Sequence, residues 1–216
     1  MTEPLQLDHV LRSAWAELAH AVVKRQHAFH TPTLVSLDLS GAPVARTVVM
    51  RAVSIERAEI RCHTDRRSPK IREISRDPRV AWHFYAPELK LQLRLKARAT
   101  VHLDDAVADE AWAQSSLSSR RCYLAPNAPG AICEQPSPNL PEHLLGRIPT
   151  LEESLSGRAH FAAITTIVNE IDWLWLAADG HRRARFERCA SDTSDHASGA
   201  NSGANSGVWS GAWIEA

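Results

Sequence analysis

"LKLQLRLKARATVHL", residues 89–103, is the stretch whose reading decides the fold. Leu91, Leu93, Leu95, Ala97 and Ala99 alternate with Gln92, Arg94, Lys96 and Arg98. Side chains of a strand point to opposite faces with period two, so this strand buries one face and wets the other. One-sided burial of this kind belongs to antiparallel sheets.

Working outward, "RVAWHFY" (79–85) reads as another strand, and "TLVSLDL" (33–39), the turn "SGAP" (40–43) and "VARTVVMRAV" (44–53) read as a hairpin. "AEIRCHT" (58–64), "AHFAAITTIVNEIDWLWLA" (159–177), "HRRARFERC" (181–189) and "VWSGAWIEA" (208–216) add further strands. Helices are fewer. Residues 5–24 set Leu7, Val10, Leu11, Ala14, Leu18, Ala21 and Val22 at helical spacing. "SPKIREISRDP" (68–78) predicts a short helix with Ser68 at the N-cap, Pro69 at the first helical position and "DP" as its stop. A third helix is expected from about 105 to 116. "APNAPGAICEQPSPNLPEH" (125–143) predicts a long loop. Residues 190–207, "ASDTSDHASGANSGANSG", repeat "SGAN" with almost no apolar content, the pattern of a flexible hairpin turn that has grown. The expected architecture is mainly β (α+β), an antiparallel barrel with peripheral helices, as one domain over 1–216.

Composition narrows the functional classes. Lys plus Arg and Asp plus Glu both total 25, so no global field points to nucleic acid or to a membrane surface. No run of about 18 apolar residues occurs, and no signal peptide is read at the amphipathic N-terminus. Cys62, Cys122, Cys133 and Cys189 form no C-x-x-C pair, so a reducing cytoplasm is the expectation. His63, His83 and His102 have no metal-ligand spacing, and no metal is expected. The cations are 21 Arg and four Lys, and Arg grips phosphate or carboxylate with two prongs.

"HTDRRSPKI" (63–71) gathers Arg66, Arg67 and Lys70, with the hydroxyls of Thr64 and Ser68, where a strand meets a helix. Unpaired N–H groups and the dipole of a helix start favour an anion, and this equipment suits a phosphate monoester. It is not a Walker loop, because no G-x-x-x-x-G-K-[ST] occurs.

The order "RTVVMR" (46–51), "HTDRRSPK" (63–70), "DPRVAWHFY" (77–85), "LQLRLKARA" (91–99) and "WLWLAADGHRRARF" (173–186) resembles the pyridoxamine 5'-phosphate oxidase-like FMN-binding split-barrel family. The resemblance is to the branch of unassigned substrate, and it covers roughly residues 30 to 190. It implies FMN as cofactor and a homodimer with the flavin between subunits. By the same resemblance Arg46, Thr47, Val48, Val49, Met50 and Arg51 form the first FMN strand, and His63, Thr64, Ser68 and Lys70 form the phosphate turn. Pro69 stands where the family carries a cation, and Arg66 or Arg67 is expected to supply that charge. Gln92, Trp175 and Arg185 match the family's flavin contacts. Arg51, His181 and Arg183 match its substrate positions, with the Arg and His of the late pair exchanged. Arg120, Arg121 and Tyr123 are the candidates for a substrate phosphate. The implied function is an FMN-dependent oxidoreductase on an unidentified small molecule. A non-catalytic flavin carrier, a genuine pyridoxamine 5'-phosphate oxidase, and a haem or deazaflavin binder remain as alternatives.

Overall fold

A computed structural model describes residues 5–189 and 208–216. The low-complexity stretch 190–207 lies outside the described residues.

Among the described residues, nine strands form one antiparallel sheet: β1 (Thr33–Leu37), β2 (Pro43–Thr47), β3 (Met50–Ser54), β4 (Glu59–Asp65), β5 (Arg79–Ala86), β6 (Leu91–His102), β7 (Phe161–Trp175), β8 (Arg182–Arg188) and β9 (Trp209–Ile214). The order is β2-β1-β5-β6-β7-β4-β3, with β8 and then β9 added beside β7. β2 and β3 end the path unpaired with each other, which makes the barrel split rather than closed. β6 behaves as its alternation predicts: Leu91, Leu93, Leu95, Ala97 and Ala99 are buried. β7 is the spine. β6 pairs along most of one edge, while β4 takes the first half of the other and β8 the second.

The stretch 44–53 departs from a single strand. β2 pairs with β1 as far as Thr47↔Thr33, where β1 begins, and β3 then pairs with β4. With no more of β1 to pair, the chain crosses at Val48 and Val49, tied by the Val48 N–H to the Pro32 carbonyl. The register shifts between Met50 and Ala52, so Arg51 occupies a bulge. Bulges re-aim side chains.

Among the described residues, five α-helices pack around the sheet: α1 (Leu7–Val23), α2 (Pro69–Arg76), α3 (Ala106–Ala113), α4 (Leu117–Arg120) and α5 (Leu151–Leu155). α1 buries Val10, Ala14, Trp15, Leu18 and Ala21 among the main-core residues, which include Phe29, Leu34, Trp82 and Phe84. A smaller cluster joins Trp112 of α3 and Tyr123 to Phe161 and Ala163 at the start of β7. No helix among the described residues is long and apolar enough to cross a membrane.

Candidate functional site

β4 delivers Thr64 and Asp65 to the turn before α2, and α2 returns Lys70 over it. The Lys70 ammonium donates to Thr64 Oγ1 at 2.9 Å and to Ser68 Oγ at 2.7 Å. Ser68 sits at the N-cap position, yet its side chain caps nothing and accepts from Lys70 instead. Both hydroxyls are buried, and among the described residues neither donates a hydrogen bond of its own. An ammonium and two undonated hydroxyls converge here, the donor set a phosphate monoester takes. Burial, and then the nearby Arg46, lower the Lys70 pKa from its ordinary value. A group in that state gains from an incoming anion.

Arg46 reaches the same region from β2. Its guanidinium donates to Ser36 Oγ at 2.5 Å and to Glu73 Oε2 at 2.7 Å. Arg66 and Arg67, expected to make up for Pro69, are turned elsewhere. Arg66 forks onto both carboxylate oxygens of Asp104, at 3.1 and 3.0 Å. Arg67 pairs with Asp65 at 2.7 Å and donates to the carbonyls of Ala125 and Pro126, which pins the start of the Pro-rich loop. Thr47 is exposed, Val48 and Val49 form the crossing, and the Met50 side chain is buried in the core.

Beside the turn lies a cleft of about 260 Å³, whose lining includes Arg25, Arg51, Arg61, His63, Gln114 and Ser119. The β3 bulge puts Arg51 there. His63 stands edge-on to Phe161, 4.9 Å between ring centroids, and its buried Nε2 has no hydrogen-bond partner. Burial, aided by Arg51 and Arg61, pushes its pKa down to about 3. The imidazole is therefore neutral at ordinary pH, a donor and an acceptor without charge.

The remaining predicted residues gather elsewhere. Gln92 Oε1 lies 3.2 Å from His83 Nε2 on the polar face of β6. Trp175 carries the Arg182 guanidinium 5.4 Å above its ring, and Trp175, His181 and Arg183 line another cleft together with Leu5. Arg183 is committed: it forks onto Asp172, at 3.0 and 2.7 Å, and Arg94 shares the same carboxylate at 2.6 Å. Burial opposes ionisation of Asp172, but those two guanidiniums outweigh it and lower its pKa. Arg185 is exposed, 3.9 Å from Glu170.

Of the candidates for a substrate phosphate, Arg120 is buried over Trp112 and bonded to the Trp112 carbonyl. Arg121 donates to the Arg147 carbonyl, and Tyr123 is buried in the aromatic cluster.

The two groups sit far apart. Lys70's turn adjoins Phe161 at one end of β7, through the pair Asp65↔Phe161, and Trp175 closes the other end. α1 gives the scale. Leu5, just before it, lines the Trp175 cleft, while Val22 and Arg25 line the Arg51 cleft. The 17 residues of α1 span about 25 Å at 1.5 Å per residue.

Residues 12–103 match the sequence model of the pyridoxamine 5'-phosphate oxidase FMN-binding domain. Over those residues the chain is similar to that family's FMN-binding domain. FMN is accordingly its cofactor. A pyridoxine/pyridoxamine 5'-phosphate oxidase 2 of Arabidopsis thaliana is 31% identical over 130 residues, 55% of this chain and 65% of that protein. A pyridoxine/pyridoxamine 5'-phosphate oxidase of Anaeromyxobacter dehalogenans is 32% identical over 103 residues, 48% of this chain and 50% of that protein. The aligned part of the chain thus spans less than two thirds of either curated relative. Among solved structures, a pyridoxamine 5'-phosphate oxidase-related FMN-binding protein of Nostoc punctiforme superposes with a TM-score of 0.68 at 20% identity, over 99% of this chain and all of that one. PhzG of Burkholderia lata, in complex with tetrahydrophenazine-1-carboxylic acid, gives 0.64 at 17% identity, over 99% and 95% of the two chains. At such identities the likeness is one of fold: the FMN-binding split barrel.

Sequence reasoning missed Ser36, Glu73, Arg25, Arg61 and the Gln114–Ser119 segment. Only Glu73 carried a local signal, since residues three apart on a helix share a face and Lys70 is its neighbour. Glu17, His20 and His27 also lie together, with ligand atoms within 4.8 Å. The Phe29 N–H occupies His27 Nδ1, so Nε2 holds the proton and donates to Glu17, leaving no lone pair there for an ion.

Proposed function

We propose that this chain is an FMN-dependent oxidoreductase, one FMN-binding domain over 1–216, that acts as a homodimer on a small molecule bearing an anionic group. The observation that carries the reading is the convergence of Lys70 with the undonated hydroxyls of Thr64 and Ser68. In this reading Lys70, Thr64, Ser68 and Arg46 hold the FMN phosphate, while His63 and the crossing at Val48 and Val49 border the flavin. Arg66 and Arg67 brace the turn through Asp104 and Asp65. FMN, once bound, supplies the hydride chemistry, and the protein supplies position.

The cleft of Arg51, Arg61 and His63 takes the substrate's anion. Guanidinium forks and an uncharged imidazole suit either a phosphate or a carboxylate. The relatives' names support that class: a 5'-phosphate in the curated oxidases and a carboxylic acid in the PhzG complex. The separation of the two groups supports the dimer. Trp175 and Arg185 lie toward the opposite end of β7 from Lys70's turn, so in this reading a second copy brings them to the flavin. A cytoplasmic location belongs to the same reading, consistent with the four unpaired cysteines. The commitment of Arg183 to Asp172 favours a second reading, a flavin carrier with little turnover.

Complementation tests the shared site. Lys70→Ala and Arg185→Ala chains, each weak for FMN alone, are mixed and refolded together. A heterodimer then pairs one intact turn with one intact late hairpin, and one tight FMN per dimer is expected. No recovery on mixing rejects the shared site. Steady reduction and reoxidation of the bound flavin with an added reductant and oxygen separates enzyme from carrier.

A further inference from the structure

Arg46 is not free to choose its direction. Glu73 is 7% exposed and Ser36 1% exposed, and the two meet the guanidinium from opposite elements, α2 and β1. Ser36 Oγ donates to Glu73 Oε2 at 2.7 Å, and Arg46 donates to both, so the three groups close a ring of hydrogen bonds. Arg46 is near enough to be the largest influence on Lys70 after burial, and it opposes the Lys70 charge. Two cations held side by side repel, and a long Arg side chain left to itself turns to water. The buried carboxylate prevents that.

We propose that Glu73 is a positioning residue for the cofactor phosphate. It holds Arg46 beside Lys70, so that two cations face one anion and the phosphate meets a guanidinium already oriented. The role rests on the FMN reading above. A purely structural part for Glu73, tying α2 to β1, would weaken every ligand alike. A positioning part weakens only ligands that carry the phosphate.

The test titrates wild type, Glu73→Ala, Glu73→Gln and Ser36→Ala with FMN and with riboflavin, following flavin fluorescence. Thermal melts of the apoproteins report folding. Loss of one charge-assisted contact is worth about tenfold in affinity or more. Glu73→Ala is therefore expected to lower the ratio of FMN to riboflavin affinity about tenfold or more. Glu73→Gln keeps an acceptor for Ser36 and Arg46 and should retain most of the ratio. Ser36→Ala, the mildest change, should lose part of it and decides the matter if Glu73→Ala does not fold. An unchanged ratio in the folded variants overturns the proposal. So does a raised ratio, which would mean that Glu73 competes with the phosphate for Arg46. A wild type that binds FMN and riboflavin equally removes the phosphate site itself, and this role with it.

Discussion

The turn at 63–70 and the hairpin at 173–186 are both rich in cations, and the structure treats one cation of each, Lys70 and Arg183, oppositely. In the turn, Lys70 rests on two neutral hydroxyls, so its charge stays unanswered. In the hairpin, Arg183 is matched by a buried carboxylate that Arg94 also holds. Both stretches read alike as sequence. A cation's availability is decided by the partner the fold sets opposite it.

The largest expected effect tests the hairpin. With Arg183 held by Asp172 and His181 in place of an Arg, the hairpin adds only a weakened grip on the substrate to that of the Arg51 cleft. A loss of several kcal/mol in transition-state binding is roughly a thousandfold in kcat/KM. FMN-loaded protein should therefore form pyridoxal 5'-phosphate from pyridoxamine 5'-phosphate slowly or not at all. Product absorbance rising at about 1 s⁻¹ or faster, an ordinary enzyme rate, would show the hairpin as available as the turn.

Next comes the turn. Lys70→Ala should lose about 1.5–3 kcal/mol of FMN affinity, the range for a hydrogen bond to a charged group. Riboflavin has no phosphate and should bind both proteins equally. Equal loss for the two ligands would erase the contrast between the regions.

A smaller effect sharpens the cleft between them. His63 is held at about 3 in the folded chain, against about 6.5 when unfolded. Between those values the unfolded state binds the extra proton, so stability rises with pH. The contribution is complete above about pH 6.5 and is lost as pH falls toward 3. His63→Gln should flatten that part of the stability curve, measured by denaturant titration against wild type. An unaltered acid limb would mean that His63 is solvated.

Least should happen at residues 190–207. Replacing them by an Asn-Gly turn between β8 and β9 should change stability by about 1 kcal/mol or less, because closure entropy grows slowly with loop length. The flanks already pair, with the Cys189 N–H on the Val208 carbonyl. An apo or aggregated product would contradict this.

The strands were legible because their cause is local. The alternation of β6 and the apolar length of β7 follow from which face is buried. Where partners decide, sequence was silent. Nothing in "VARTVVMRAV" says that β1 runs out at Thr33, so one strand was expected where there are two. Likewise nothing in "DRRS" places Asp104 opposite Arg66, 38 residues on. The Ser68 cap was expected from residue type, but the Lys70 ammonium claimed the hydroxyl. The Arg51 cleft collects residues from 22 to 119, which no local window joins.

The crossing at Val48 and Val49 has a consequence for how such a site can change over time. A one-residue slip inside β6 would turn its leucines to water, so that strand is locked. The crossing belongs to neither ladder: β2 takes its register from β1, and β3 from β4. A residue gained or lost there moves Arg46 relative to Arg51 while both pairings stand. The span between the cofactor's anchor and the cleft beside it can thus drift by insertion and deletion, in a barrel whose paired strands forbid such drift.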